Sequence, residues 1–274
     1  MRLQGRWIAA WLAAVLAAST AWAGDPILPP NPTDEDLATA AQNPVSDLIS
    51  VPFQDIIGFG VGPQKNVANV LNIQPVVPFH LTADWNLISR TILPIVTMPN
   101  FTGGGSTTGL GNVTATAFLS PARPGAVIWG AGPVATFPTA TSPQLGSQST
   151  WGLGPSVVLL AMPGPFVLGV LVNNVWSVAG AKANTFLLQY FVNFNFESGW
   201  YLTTGPIITA NWEAPSGQRW DVPFGGGAGR IVWIGPLPFN LTAQAYYHAI
   251  RPDLGPSWTV RLTATLLLPR SMFF

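Results

Sequence analysis

The chain has 274 residues, of which 48% are hydrophobic and 8% charged, and its 11 basic residues balance its 11 acidic ones. An ordinary soluble domain carries about 25% charged residues, and a disordered chain combines high charge with low hydrophobicity, so this composition is typical of neither class. Nucleic-acid binding needs clustered Lys and Arg and is excluded. The absence of cysteine excludes disulfides and thiolate sites.

The first 23 residues have the features of a secretory signal peptide. Arg2 and Arg6 precede a short apolar run at 7–18, and Ala21-Trp22-Ala23 places small residues before a cleavage site at Gly24. An N-terminal membrane anchor is the alternative, although a spanning helix needs about 20 apolar residues. No later apolar stretch is long enough for such a helix. The sequence therefore predicts an exported chain with signal peptide 1–23 and no transmembrane helix.

Residues 24–47 are predicted to form a periplasmic segment with one short helix. Thr33 is a suitable N-cap, and three acidic residues follow it in the first turn, where the helix dipole favours negative charge. Pro44 ends the helical pattern, so the helix is expected over 33–42.

From residue 48 onward, apolar and polar residues alternate with the period of two that is typical of β-strands. In the last segment, for example, Trp258 and Val260 alternate with Thr259 and Arg261. The alternating segments lie at 48–61, 67–80, 85–96, 112–119, 126–138, 151–161, 165–178, 186–197, 200–212, 220–232, 239–248 and 258–268. This pattern predicts about twelve strands, with a range of 10–14. The seven Gly-Pro pairs are expected to mark turns between them.

The polar faces of these strands indicate a membrane barrel. They carry Thr, Asn, Gln and Ser, whereas the outer face of a soluble β-sandwich is normally charged. Lipid outside and a polar lumen inside fit this pattern, and the sheet must close because hydrocarbon leaves an open edge unpaired. Tryptophans near the segment ends suggest the aromatic belts of such barrels. We predict an all-β, transmembrane, antiparallel up-and-down barrel over 48–274 in the outer membrane of a Gram-negative bacterium. A secreted β-sandwich is the alternative.

Several motifs occur in an order that is characteristic of one protein family. They include Ile49-Ser50-Val51-Pro52-Phe53-Gln54, Asp84-Trp85-Asn86-Leu87-Ile88-Ser89-Arg90, Gly109-Leu110-Gly111-Asn112, Trp129-Gly130-Ala131-Gly132-Pro133 and Trp151-Gly152-Leu153-Gly154-Pro155. Over roughly 41–269 the chain resembles the bacterial outer-membrane family named after the MetA pathway of phenol degradation. The resemblance implies a transporter-like barrel that passes small aromatic or hydrophobic molecules. Asn112 departs from the Asp expected in its motif, so no role of that carboxylate is carried over.

Catalytic and metal-binding motifs are not found. The two histidines, His80 and His248, lie near strand ends, and the sequence lacks His-Glu-x-x-His and Gly-x-Ser-x-Gly. Neither histidine is followed at the second position by Ser, as in lipid-hydrolysing outer-membrane barrels. We predict no cofactor, no metal and no catalytic residue. An outer-membrane hydrolase is an alternative that requires a Ser or Thr within hydrogen-bond reach of a histidine at an accessible rim.

Charged and polar residues on the lumen side are the candidates for selecting a solute. Three arginines lie inside strands, and each would cost about 2–4 kcal/mol on the lipid face at the midplane. The predicted pore-lining residues are Arg90, Arg230, Arg261, Gln74, Asn86, Gln244, Tyr246 and His248. One hypothesis is that the arginines attract anionic solutes. The other is that they pair with carboxylates such as Asp55, Asp221 or Glu197 and fasten the wall.

The favoured function is a passive channel for small solutes with no enzymatic step. One hypothesis places the acidic segment 33–47 across the periplasmic mouth as a plug, and a structural barrel with a plugged lumen is the rival function. The expected partners are outer-membrane lipid, an unidentified small solute and the outer-membrane assembly machinery. Met272-Phe273-Phe274 is similar to the terminal aromatic signal read by that machinery, or else it contributes an aromatic to a membrane belt.

Overall fold

The computed structural model describes residues 32–102, 104–123 and 125–268. The predicted signal peptide and the C-terminal aromatic motif lie outside these residues. None of the helices in the described residues is long and apolar enough to cross a membrane.

Helix α1 spans Asp34–Ala41 and begins where the sequence predicts. The Thr33 hydroxyl accepts a hydrogen bond from the Asp36 backbone N–H at 3.2 Å, and the Asp36 carboxylate accepts one from the Thr33 N–H at 2.9 Å. These two bonds form a capping box, which satisfies N–H groups at the helix start. Eight residues are too few for a stable isolated helix, so α1 depends on packing through its buried Leu37 and Ala38.

The rest of the chain consists of strands joined by turns and loops. The strands are β1 Ile49–Val61, β2 Asn66–Ile73, β3 Val76–His80, β4 Trp85–Pro99, β5 Ser106–Leu110, β6 Val113–Pro121, β7 Ile128–Phe137, β8 Trp151–Ala161, β9 Phe166–Ala179, β10 Asn184–Asn195, β11 Trp200–Thr204, β12 Ile207–Asn211, β13 Trp220–Ile234, β14 Leu237–Ile250 and β15 Trp258–Leu268. A single 3₁₀ turn at Glu197–Gly199 precedes β11. Three times, two successive strands form a single crossing of the barrel wall, here called a span, that is interrupted by two residues. The pairs are β2 with β3, β5 with β6 and β11 with β12. The fifteen strands therefore make twelve spans.

The sheet closes on itself. Each span pairs with its sequence neighbours in an antiparallel ladder, and β1 pairs with β15 from Ile49 opposite Leu268 to Phe59 opposite Trp258. The structure is thus a closed, antiparallel, twelve-stranded β-barrel with one short helix near the N-terminus, which confirms the predicted fold class.

The apolar face of the wall is outside. In β8, Leu153 and Val157 are 48% and 40% exposed, whereas Val158 and Leu160 are 0% and 2% exposed. A β-sandwich buries its large aliphatic face between two sheets, so this arrangement is incompatible with the sandwich alternative. Large outward side chains and a filled interior are the arrangement of a barrel whose outer solvent is lipid.

The two ends of the barrel differ in the length of their connections. At one end, which we call the turn end, the spans are joined by 81–84, 122–127, 162–165, 196–199 and 235–236. At the other, the loop end, they are joined by 62–65, 100–105, 138–150, 180–183, 212–219 and 251–257. The chain enters β1 and leaves β15 at the turn end. Edge-to-face aromatic contacts occur near both ends, for example Trp85 with Trp129 and Trp212 with Trp220.

Three Gly-Pro pairs lie inside spans, so their predicted role as turns is wrong. Gly132-Pro133 is in β7, Gly154-Pro155 is in β8, and 205–206 separates β11 from β12. Proline has no N–H to donate, and the β8–β9 ladder accordingly skips from Leu153 to Ser156. A Cβ on Gly154 would lie 1.7 Å from the backbone oxygen of Asn174. The glycines permit close approach of neighbouring strands where the prolines interrupt the ladder.

Replacing Gly154 with Ala is expected to destabilise the barrel by about 1–3 kcal/mol, because the strands must separate to admit the methyl group. The matched control is Gly125→Ala, since a Cβ at Gly125 meets nothing within 4 Å. Urea unfolding of the refolded barrel in lipid vesicles, followed by tryptophan fluorescence, measures both. Equal unfolding midpoints for the two variants would contradict the close approach.

Candidate functional site

Residues 33–48, here called the mouth segment, fill the turn end of the lumen. Leu37 and Leu48 are 0% and 1% exposed and belong to a cluster with three inward side chains of the wall, Tyr201, Ile231 and Leu267. Val45 belongs to a second cluster with wall residues that include Ile88, Phe118, Val158 and Leu171. The mouth segment is therefore packed against the inner wall on two sides and is not a strand of the sheet.

Polar contacts attach the mouth segment to three parts of the wall. The amides of Gln42 and Asn195 form a reciprocal pair, with N···O distances of 2.8 and 3.3 Å. The Trp233 indole N–H donates to Asp34 at 2.8 Å. The third contact is an ion pair between Asp47 Oδ1 and His80 Nε2 at 3.3 Å. These contacts place the segment relative to β10, β13 and β3.

Two adjoining cavities occupy the lumen beyond the mouth segment. The loop-end cavity has a volume of about 540 Å³ and reaches Asp221 and Pro252. The turn-end cavity has a volume of about 230 Å³ and is bordered by residues 41–44 of the mouth segment. Five side chains line both cavities, and we call this shared set the waist. The waist residues are Gln54, Gln74, Arg90, Leu171 and Gln189.

A chain of hydrogen bonds orders one side of the waist. Arg90 Nη2 donates to Gln74 Oε1 at 2.8 Å, and Gln74 Nε2 donates to Gln54 Oε1 at 3.2 Å. The three side chains come from β4, from the break between β2 and β3, and from β1. On the other side, Gln189 Nε2 donates to the Gly205 carbonyl at 3.2 Å. The amides of Gln74 and Gln54 thus hold the Arg90 guanidinium in the lumen.

The second lumen arginine, Arg261, is built into the break between β11 and β12. Its Nη1 donates to the Gly205 carbonyl at 2.9 Å, and its guanidinium carbon lies 4.8 Å from the centre of the Tyr246 ring. The Gly205 N–H donates to the Tyr246 hydroxyl at 3.0 Å. Gly205 stands in the interruption of the span, where its carbonyl is available to a side chain. The interruption of the strand therefore provides the carbonyl that holds Arg261 in place.

The hypothesis that the lumen arginines pair with carboxylates is wrong. In the described part of the chain, both ion pairs join a histidine to an aspartate. Asp221 pairs with His248, and Glu197 is exposed in a turn. Asp55 accepts a hydrogen bond from Asn69 at 2.6 Å and lies opposite the exposed Leu262, so it faces outward. Neutral oxygens of an amide and a carbonyl replace the expected carboxylates.

Arg230 lies outside the barrel, which corrects its predicted position in the lumen. It is exposed, and its guanidinium carbon lies 5.1 Å from the ring centre of Trp200, the first residue of β11 at the turn end. The next residue, Ile231, points inward to the mouth segment. Near the membrane interface a lipid-facing arginine costs only about 0–1 kcal/mol, because its long side chain can reach water. This position is therefore tolerated.

His248 lies in an arrangement that resembles a hydrolytic triad. Its Nδ1 is 2.6 Å from Asp221 Oδ1, and its Nε2 is 3.2 Å from the Thr259 hydroxyl. Hydroxyl, imidazole and carboxylate in this order can activate a nucleophile. However, His248 and Thr259 are 6% and 8% exposed, and neither lines the two cavities. The hydroxyl required for the hydrolase alternative is present near the loop end, but it is buried in the wall and does not line either cavity.

The eight predicted pore-lining residues therefore fall into three groups. Those that line a cavity are Arg90, Gln74, Gln244 and Arg261. Those that are buried beside the lumen are Asn86, which holds the His80 ring at 2.8 Å, Tyr246 and His248. The exception is Arg230. In the described residues, no group of three or more His, Asp or Glu side chains could hold a metal ion.

Sequence reasoning missed Gln54 and Gln189 of the waist and Gln42 of the mouth segment. Gln54 and Gln189 stand on the polar faces of their strands, so the alternation carries a signal for them. Gln42 has no such signal, because its position depends on how the mouth segment packs inside the barrel.

Replacing Leu48 with Ala is expected to loosen the mouth segment, because truncating a buried leucine costs about 2–5 kcal/mol. Hydrogen exchange of the α1 amides in the refolded barrel should become faster. Leu254→Ala is the matched control, because Leu254 is 52% exposed in a loop at the other end. Unchanged α1 protection in the Leu48 variant would show that the apolar contacts do not hold the segment.

No protein-family model matches the chain, and no curated protein matches it. Among solved structures it is similar to an outer membrane channel from Pseudomonas putida F1, with a TM-score of 0.63 and 16% identity over 81% of this chain and 95% of that one. A FadL homologue from Pseudomonas aeruginosa and the CymD monoaromatic hydrocarbon channel each have a TM-score of 0.38. Their identities are 10% and 8%, and they cover 90% and 80% of this chain and 96% and 87% of their own. The similarity to the first structure is one of fold. The chain has the fold of a twelve-stranded outer-membrane β-barrel.

Proposed function

We propose that this protein is a passive outer-membrane channel for small aromatic or hydrophobic solutes, exported by the signal peptide at 1–23. The observation that carries the proposal is the pair of adjoining cavities, which together extend from loop-end residues to the mouth segment inside a closed barrel. The sequence resemblance to the outer-membrane family named after the MetA pathway of phenol degradation supports the same function.

The lining of the loop-end cavity supports small solutes of mixed polarity. Apolar side chains such as Ile92, Val134 and Leu187 alternate around it with polar ones such as Asn173 and Thr116. Small-molecule sites have volumes of roughly 300–1,000 Å³ and combine apolar walls with a few polar groups. A volume of about 540 Å³ accepts a single aromatic ring with a polar substituent.

The lengths of the connections support an orientation. Outer-membrane barrels have short periplasmic turns and longer extracellular loops. The loop end, with its 13-residue connection at 138–150, then faces outward. The mouth segment consequently lies at the periplasmic end, and a solute that enters from outside reaches it last.

The rival functions predict different behaviour. A structural barrel keeps the mouth segment in place and conducts nothing. A hydrolase needs its nucleophile in contact with substrate, whereas Thr259 is buried outside the cavities. A passive channel needs no catalytic step, and displacement of the mouth segment is sufficient to open its periplasmic end.

Single-channel recording in planar bilayers is expected to show discrete conductance steps for the refolded chain. Leu37→Ala should lengthen the open intervals, because it removes packing between α1 and the wall. The experiment contradicts the channel function if neither protein conducts ions or passes neutral aromatic solutes.

Charge removal provides a matched pair of variants. Arg261→Gln removes a positive charge from the lumen and should shift the reversal potential in a KCl gradient toward cation preference. Arg230→Gln removes the same charge from the outer surface and should leave the reversal potential unchanged. The shift should shrink as salt concentration rises, since ions screen the arginine. Equal shifts in both variants would argue against ion passage beside Arg261.

A further inference from the structure

The turn-end cavity carries positive charge without a counter-ion. Arg90 and Arg261 both line it, and its lining contains no aspartate or glutamate. Residues 41–44, at and beyond the C-terminal end of α1, also line this cavity, but the negative end of a helix dipole amounts to only about half an elementary charge. The two guanidinium groups therefore leave the cavity clearly positive.

Among the described residues both arginines lack a carboxylate partner, and Arg261 also has an unsatisfied N–H group. Neither takes part in the ion pairs of the described residues. Arg261 is 6% exposed, and its Nε–H is buried without a hydrogen-bond partner among the described residues. A buried charge is costly unless it is paired, so an arrangement of this kind favours an anion from outside the chain.

The guanidinium groups are also held in place. The amide of Gln74 fixes Arg90, while the Gly205 carbonyl and the Tyr246 ring fix Arg261. A planar guanidinium presents five N–H donors in a geometry that matches a carboxylate. Since each arginine donates one of these bonds to a lumen oxygen, donors remain for a ligand.

The size and remaining walls of the cavity define the rest of the ligand. A volume of about 230 Å³ corresponds to roughly eight water molecules at about 30 Å³ each, which is the scale of one small organic molecule. Leu171, Phe191 and Val76 line the same cavity and provide apolar contacts. The cavity thus combines a cationic part with an apolar part.

From these observations we infer that the turn-end cavity binds small organic carboxylates, with the carboxylate at Arg90 and Arg261 and the apolar part against Leu171 and Phe191. This inference rests on the proposed channel function and names the class of solute. The site lies directly before the mouth segment, so the solute is held at the last barrier of the path.

Calorimetric titration of the refolded full chain in detergent tests the inference, with benzoate as the probe and benzamide as its uncharged counterpart. Benzoate should bind saturably, and benzamide should not. Arg90→Gln and Arg261→Gln should each weaken benzoate binding at least tenfold. Arg230→Gln, which removes an arginine from the outer surface, should leave the affinity unchanged.

The inference is overturned if benzoate does not bind, if benzamide binds equally well, or if both lumen variants bind benzoate like the unmodified chain. Inorganic phosphate that binds in place of benzoate would also overturn it. If Arg261→Gln does not refold, Arg90→Gln and the charge-conserving Arg261→Lys provide the test, with a tenfold loss expected in the first and a smaller loss in the second.

The outcomes separate this inference from the channel function. Ion conductance without benzoate binding leaves the channel standing and overturns the carboxylate site. Benzoate binding without conductance or solute flux supports the site and overturns the channel.

Discussion

The need to pair every backbone N–H and C=O group in hydrocarbon governs this structure. It requires the sheet to close through β1 and β15, and closure divides every strand into an outer and an inner face. Charged side chains without a counter-ion then lie on the inner face, as Arg90 and Arg261 do. Asp55 is an instructive exception, because it faces outward with the Asn69 amide as its hydrogen-bond partner.

Closure also explains why the lumen contains a packed segment and a set of hydrogen-bonded side chains. Twelve spans enclose more space than their own inward side chains fill, and the mouth segment occupies the turn end through Leu37, Val45 and Leu48. Next to it, Arg90, Gln74 and Gln54 form a chain of hydrogen bonds along one side of the waist. The break at 205–206 contributes as well, since the carbonyl of Gly205 binds both Gln189 and Arg261.

The barrel could be predicted from the sequence because its signal is repeated in every span. Alternation with a period of two located all twelve spans and the inner position of Arg261. It failed for Arg230, which follows the glycine-rich stretch 225–229, where missing side chains leave no alternation to define a face. A Gly-Pro pair likewise occurs both in turns and in interrupted strands, so the pair alone does not distinguish the two. The composition of the waist and the lack of counter-ions at the two arginines depend on contacts between spans that are distant in sequence. A local sequence pattern does not predict such contacts.

The seam between β1 and β15 has a consequence for how the molecule assembles. It joins residues about 200 positions apart, and ordering so long a loop carries a large entropic cost that is recovered only when the ladder forms. The mouth segment continues directly into β1 and packs on Leu267 of β15, the other side of the same seam. Docking of the segment thus buries Leu267 beside the seam. Closing the seam and docking the mouth segment therefore stabilise each other, because Leu37 and Leu48 belong to one apolar cluster with Leu267.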